Sequence, residues 1–98
     1  MFKVVTLCGS TRFKDEFRLL ESELTLKGYI VISLGNFTHV DNKILDDSIL
    51  VILTAMHKQK MDMADEIYVV NKDKYIGNAT KDEIAYAISI GKKISYMY

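Results

Sequence analysis

The chain has 98 residues, enough for one small domain spanning 1–98 with little margin for a second functional unit. Thirteen basic and thirteen acidic side chains cancel, which argues against a general binder of nucleic-acid polymers, since such proteins carry a basic excess. The single cysteine, Cys8, excludes an intrachain disulfide, and the longest apolar run, from Ile49 to Leu53, is too short to span a bilayer. With neither a signal nor a transit peptide legible at the start, the expected setting is reducing and cytoplasmic. The glycosylation patterns at Asn36 and Asn78 therefore carry no weight.

The first predicted element is a β-branched strand over 2–8, and a turn through Cys8, Gly9, Ser10, Thr11 and Arg12 follows. Phe13, Phe17, Leu20 and Leu24 then recur at helical spacing, predicting a helix over 11–27 that Gly28 stops. A second strand is expected over 29–33, a loop over 34–41 and a helix over 43–64. A third strand over 66–71 leads through a polar loop to Gly77. A final helix over 80–90, ended by Gly91, precedes a fourth strand over 93–97. Strands alternating with helices predict an α/β domain, a three-layer Rossmann-like (flavodoxin-like) fold with a mainly parallel sheet of about four strands. Ligands of such sheets bind beyond the carboxyl ends of the strands, where the strand order reverses. The turn at 9–12, the loop at 35–39 and the segment 71–83 should meet there.

A strand that turns through Gly-Ser-Thr into a helix directs backbone N–H groups and the positive end of the helix dipole at one point. Gly9, Ser10, Thr11 and Arg12 are thus candidates to hold a phosphate or carboxylate, Arg12 through its forked guanidinium. The competing reading makes Ser10 or Thr11 a helix cap and leaves Arg12 in solvent. Thr80-Lys81-Asp82-Glu83 fits a capping box, with Thr80 as N-cap and Glu83 at the third helical position. The functional alternative is that Glu83 is a nucleophilic carboxylate beside the crevice, able to trap the oxocarbenium-like centre formed when an N-glycosidic bond breaks.

Asp46 and Asp47, at the start of the second long helix, are candidates for a second acidic group. Asp62 and Asp65, at its end, suit caps or ion pairs. His39 falls in a crevice loop, where it is a candidate ligand contact. His57 falls mid-helix, where a packing or surface role is the simpler reading. Neither histidine belongs to a cluster with zinc-ligand spacing, so no metal is expected. Met56, Met61 and Met63 read as helix-face packing. The block from Ile49 to Leu53 has no clean polar face, so the helix is either buried on several sides or pairs with a second subunit; a homodimer is expected.

Three stretches together resemble the nucleoside 2-deoxyribosyltransferase-like superfamily, including its deoxynucleoside monophosphate N-hydrolase branch. They are Cys8-Gly9-Ser10 with Arg12; Met63-Ala64-Asp65-Glu66-Ile67; and Glu83-Ile84-Ala85-Tyr86-Ala87 followed by Gly91-Lys92-Lys93. Small bacterial and phage members also share Tyr75-Ile76-Gly77 and the final helix. The resemblance implies a nucleoside or nucleotide N-glycosidic transferase or hydrolase, with Glu83 as nucleophile, Ser10 and Arg12 at a 5′-phosphate, Gly77 in the substrate site, no cofactor, and assembly as dimers or higher oligomers.

The chain departs from that pattern in three places. His57 stands where the hydrolases keep a catalytic aspartate, and it is a candidate proton donor in its stead. Thr6 stands where a tyrosine orients the nucleophile. The sequence stops at Tyr98, without the family's C-terminal segment. These departures give weight to an alternative, a non-catalytic nucleotide-binding or nucleotide-sensing module on the same fold. A third possibility is an oligomeric accessory protein with a vestigial crevice.

Overall fold

In the computed structural model, residues 1–37 and 46–98 are described. The described elements run β1 (Val4–Gly9), a 3-10 turn (Thr11–Phe13), α1 (Lys14–Leu26), β2 (Ile30–Ile32), α2 (Asp47–Asp62), β3 (Glu66–Val70), a second 3-10 turn (Lys72–Lys74), α3 (Asn78–Ser89) and β4 (Lys93–Tyr96). The four strands form one sheet in the order β2-β1-β3-β4, and every pairing is parallel. The α/β, three-layer Rossmann-like expectation is met.

Alternation along β1 builds the two layers. Val5 and Leu7 point into a cluster with Phe13 of the first 3-10 turn and with Phe17, Leu20 and Leu24, the apolar stripe of α1. Cys8, on the opposite face, packs with Met61 of α2, Ile67 of β3 and Ala87 of α3. A central parallel strand covered on both sides carries apolar residues on both faces. Thr6 is the polar exception on β1; it is fully buried, and its hydroxyl donates to the Lys60 carbonyl at 2.7 Å. That bond ties β1 to the last turn of α2.

The order reverses between β1, whose chain turns back to β2, and β3. The carboxyl ends of these two strands therefore flank a crevice, the place where parallel sheets bind ligands. Gly9 pairs with Val70 at the end of the ladder, extending β1 beyond the expected 2–8. A Cβ on Gly9 would sit 2.6 Å from the Val70 carbonyl oxygen, so glycine is what lets the turn close over β3. Beyond β4, the Asn71 side chain grips Tyr98 twice. Its Nδ2 donates to the Tyr98 carbonyl at 3.1 Å, and its Oδ1 accepts from the Tyr98 N–H at 2.9 Å.

Candidate functional site

A cavity of about 400 Å³ opens at this crevice. Its walls are the turn Gly9-Ser10-Thr11, the face of α2 bearing Leu53, His57 and Lys60, and the start of α3 from Gly77 to Glu83. The volume is within the range of small-molecule sites.

The third wall differs from the sequence expectation. The capping-box reading began the last helix at Thr80, but α3 starts at Asn78 with Gly77 as N-cap. The first-turn bond from the Lys81 N–H to the Gly77 carbonyl is 2.9 Å. Thr80 is consequently inside the helix and buried, and Glu83 falls in the second turn, too far along to cap. Gly77 offers no side-chain cap, and the first turn of α3 carries no acidic residue. Gly77, Asn78, Ala79 and Thr80 all line the cavity, so the positive end of α3 borders it.

Glu83 is the sole carboxylate among the described lining residues. One of its oxygens lies 3.4 Å from His57 Nε2, with side-chain exposures of 25% for Glu83 and 9% for His57. Burial disfavours both charges. It pushes the Glu83 carboxyl up to about 7, helped by the neighbouring Asp82 charge. It pulls the His57 imidazole down to about 4, helped by the Lys60 ammonium. Between about pH 4 and 7 the pair thus holds one proton, on the carboxyl, and is not an imidazolium–carboxylate ion pair. His57 is therefore neutral at pH 7 and a weak base, whereas the proton-donor role expected for it would call for the imidazolium.

Beneath them lies Cys8, whose Sγ is 3.2 Å from the same Nε2. Burial, and then the Glu83 charge, drive this thiol far above its usual range, so it is protonated and inert. Lys60 Nζ donates to the carbonyls of Ser33 and Leu34 at 2.9 and 3.1 Å, and burial lowers its affinity for a proton.

The turn after β1 is partly self-satisfied. Ser10 Oγ accepts from the Arg12 N–H at 3.3 Å, capping the 3-10 turn, so the structural role foreseen for Ser10 is present. Arg12 is exposed and is not among the described lining residues; its guanidinium lies 4.2 Å from the centre of the Tyr75 ring. Tyr75 lines the cavity and stands edge-on to Phe13, with ring centres 5.9 Å apart.

The other candidates fall elsewhere. Asp46 is the N-cap of α2, accepting from the Ile49 N–H at 2.9 Å and the Ser48 hydroxyl at 2.6 Å. Those bonds, the Ser48 hydroxyl foremost, hold its carboxyl below the usual range. Asp47 is exposed, and neither aspartate is among the described lining residues. Asp62 accepts the Tyr86 hydroxyl at 2.6 Å, and Asp65 accepts the Val4 N–H at 2.8 Å. Both bonds are structural, but neither is the helix cap or ion pair expected of these residues. His39 lies outside the described residues. Met61 is fully buried, whereas Met56 lines the cavity and Met63 is exposed.

Sequence reasoning missed Lys60, Tyr75 and the grouping of Cys8 with His57 and Glu83. One signal was available for part of it: His57 and Met61 are four apart on α2 and therefore share a face. They are the two buried residues of that helix, and both touch Cys8. No protein-family model and no curated protein sequence matches the chain.

Proposed function

We propose that the crevice takes a nucleoside or nucleotide and that Glu83 acts on its N-glycosidic bond, as a transferase or hydrolase. One observation carries this reading: Glu83 and the Gly9–Thr11 turn line the same cavity of about 400 Å³. The start of α3 supports an anionic end to the ligand, since uncapped helix N–H groups favour a 5′-phosphate. Helical rise sets Glu83 about 9 Å along the axis from Gly77, a span suited to a sugar and its phosphate. Ser10, Thr11 and Gly77 would cradle that end, with Arg12 approaching from the rim.

In the chemical step, Glu83 acts as the carboxylate, its proton released to solvent, which a carboxyl near 7 allows at neutral pH. A Glu83 oxygen then bonds to the anomeric carbon as the carbon–nitrogen bond breaks, and the departing base takes the electron pair and a proton from solvent. Water or a second base opens the resulting glycosyl ester. These steps need no cofactor.

A binding module without turnover is the second reading. It is favoured by Glu83 having no carboxylate partner among the described lining residues, because glycosidic cleavage ordinarily uses two.

The test is release of free base, measured by chromatography, from deoxynucleosides and their 5′-monophosphates, with and without an acceptor base. Wild type should release base, and Glu83→Ala should lower the rate at least about a thousandfold. Arg12→Ala should erase any preference for the monophosphate. Binding by wild type without release in any mixture selects the second reading.

The same reading places the protein in the cytoplasm, where nucleotides and a free Cys8 coexist. No helix of the described residues is long and apolar enough to cross a membrane. It also includes a homodimer through α2, whose Val51 and Ile52 are 68% and 57% exposed. The zero formal charge places no net repulsion between two copies.

A further inference from the structure

Three donor atoms from three elements converge at the base of the cavity: Cys8 Sγ at the end of β1, His57 Nε2 in α2 and a Glu83 carboxylate oxygen in α3. All lie within 4.8 Å of one another, with sulfur–nitrogen and nitrogen–oxygen separations of 3.2 and 3.4 Å. Both contacts fall on the same ring nitrogen. A neutral imidazole nitrogen has one hydrogen or one lone pair, so Nε2 satisfies only one of its two neighbours, and the other contact of the Cys8 thiol is the Met61 sulfur at 3.8 Å.

The arrangement is also wrong for a cysteine nucleophile. In a nucleophile–histidine–acid triad the acid holds the ring nitrogen opposite the nucleophile, whereas here thiol and carboxyl crowd the same one. A cation placed between the three atoms would satisfy all of them at once.

We propose that Cys8, His57 and Glu83 bind one zinc ion, with the fourth coordination position open to the cavity. Zinc bonds of about 2.3 Å to sulfur and about 2.0–2.2 Å to nitrogen and oxygen, at tetrahedral angles, set the donors about 3.3–3.6 Å apart. The two observed contacts are within a few tenths of an ångström of that. A thiolate and a carboxylate cancel the two charges of the ion, so the loaded site is neutral where burial demands it. Sulfur and imidazole select zinc or a similar borderline metal over magnesium or calcium. Lys60 is the cation facing His57, but its ammonium is held on the carbonyls of Ser33 and Leu34.

Coordination displaces the thiol proton, and the carboxyl proton where present, to solvent. Three ligands from the protein and an open fourth position are the pattern of zinc sites that carry a water or a substrate atom. The site stands independently of what fills the cavity. Its occupation would engage Glu83 and so oppose the proposed N-glycosidic chemistry.

The test begins with protein stripped by a chelator. Zn2+ is titrated against a chromophoric competitor, and Co2+ is substituted for its spectrum. Wild type should bind one Zn2+ per chain. The Co2+ form should show intense tetrahedral d–d bands and a thiolate-to-cobalt charge-transfer band. That band should vanish in Cys8→Ser and persist in Glu83→Gln, and each variant should bind Zn2+ at least about tenfold more weakly. Circular dichroism checks folding; if Cys8→Ser fails to fold, the wild-type band and the Glu83→Gln affinity decide. An octahedral cobalt spectrum without charge transfer, or Zn2+ affinity unchanged in Glu83→Gln and His57→Gln, overturns the proposal.

Discussion

The Glu83 carboxyl and the His57 imidazole, 3.4 Å apart, are displaced by burial in opposite directions, and their effects on stability cancel over part of the pH range. Glu83 rises from 4.5 to about 7, so the unfolded chain loses that proton first and stability falls as pH rises from 4.5 to 7. His57 drops from 6.5 to about 4, so the unfolded chain gains that proton first and stability falls as pH drops from 6.5 to 4. Between about 4.5 and 6.5 each state carries one proton on the pair, and the net slope is zero.

Removing either partner should expose the other. In metal-free protein, Glu83→Gln should gain about 3 kcal/mol over wild type between pH 4.5 and 7. His57→Gln should gain a similar amount relative to wild type as pH falls from 6.5 to 4. Urea titrations across pH measure both differences. A Glu83→Gln difference that falls as pH rises, together with a His57→Gln difference that grows as pH rises, would show that the pair is an ordinary ion pair.

Gly9→Ala should destabilise the fold by about 1–3 kcal/mol, because the new methyl meets the Val70 carbonyl at the end of the β1–β3 ladder. The melting temperature should fall by about 4–8 °C per kcal/mol in a domain of this size. A melting temperature equal to that of wild type would mean that the turn can shift away from β3.

Asp46→Ala removes the α2 cap and should lower the melting temperature by a few degrees. Ligand binding and any base release should persist at the wild-type level. Loss of activity in a folded Asp46→Ala protein would return this aspartate to the site.

The exposed face of α2 is probed by Val51→Glu combined with Ile52→Glu. Wild type should have a dimeric mass in sedimentation at micromolar concentration, and the double variant a monomeric one, with the circular dichroism spectrum unchanged. A monomeric wild type removes the dimer.

How much of this was legible in the sequence follows from the range of the interactions involved. Phe13, Phe17, Leu20 and Leu24 mark one face by spacing alone, and all four are buried against β1. Helix ends were harder. Thr80-Lys81-Asp82-Glu83 satisfies a local capping rule, yet the chain begins α3 at Asn78 because Thr80 is packed inside. Burial is a tertiary fact that no four-residue pattern contains. The same limit hid the Cys8–His57 contact, which joins residues 49 positions apart. What spacing could not supply, the alternation of β1 did: Cys8 faces α2 and α3 because Leu7 faces α1.

The Asn71 clasp on Tyr98 has a practical consequence for every assay named above. In an all-parallel sheet the strands finish on one edge, so the clasp pins Tyr98 on the side where the cavity opens. An affinity tag fused after Tyr98 would be anchored next to the mouth and could shade it, and a histidine tag there would compete for added metal. Met1, exposed ahead of β1 on the far edge, is the better point for attachment or surface immobilisation.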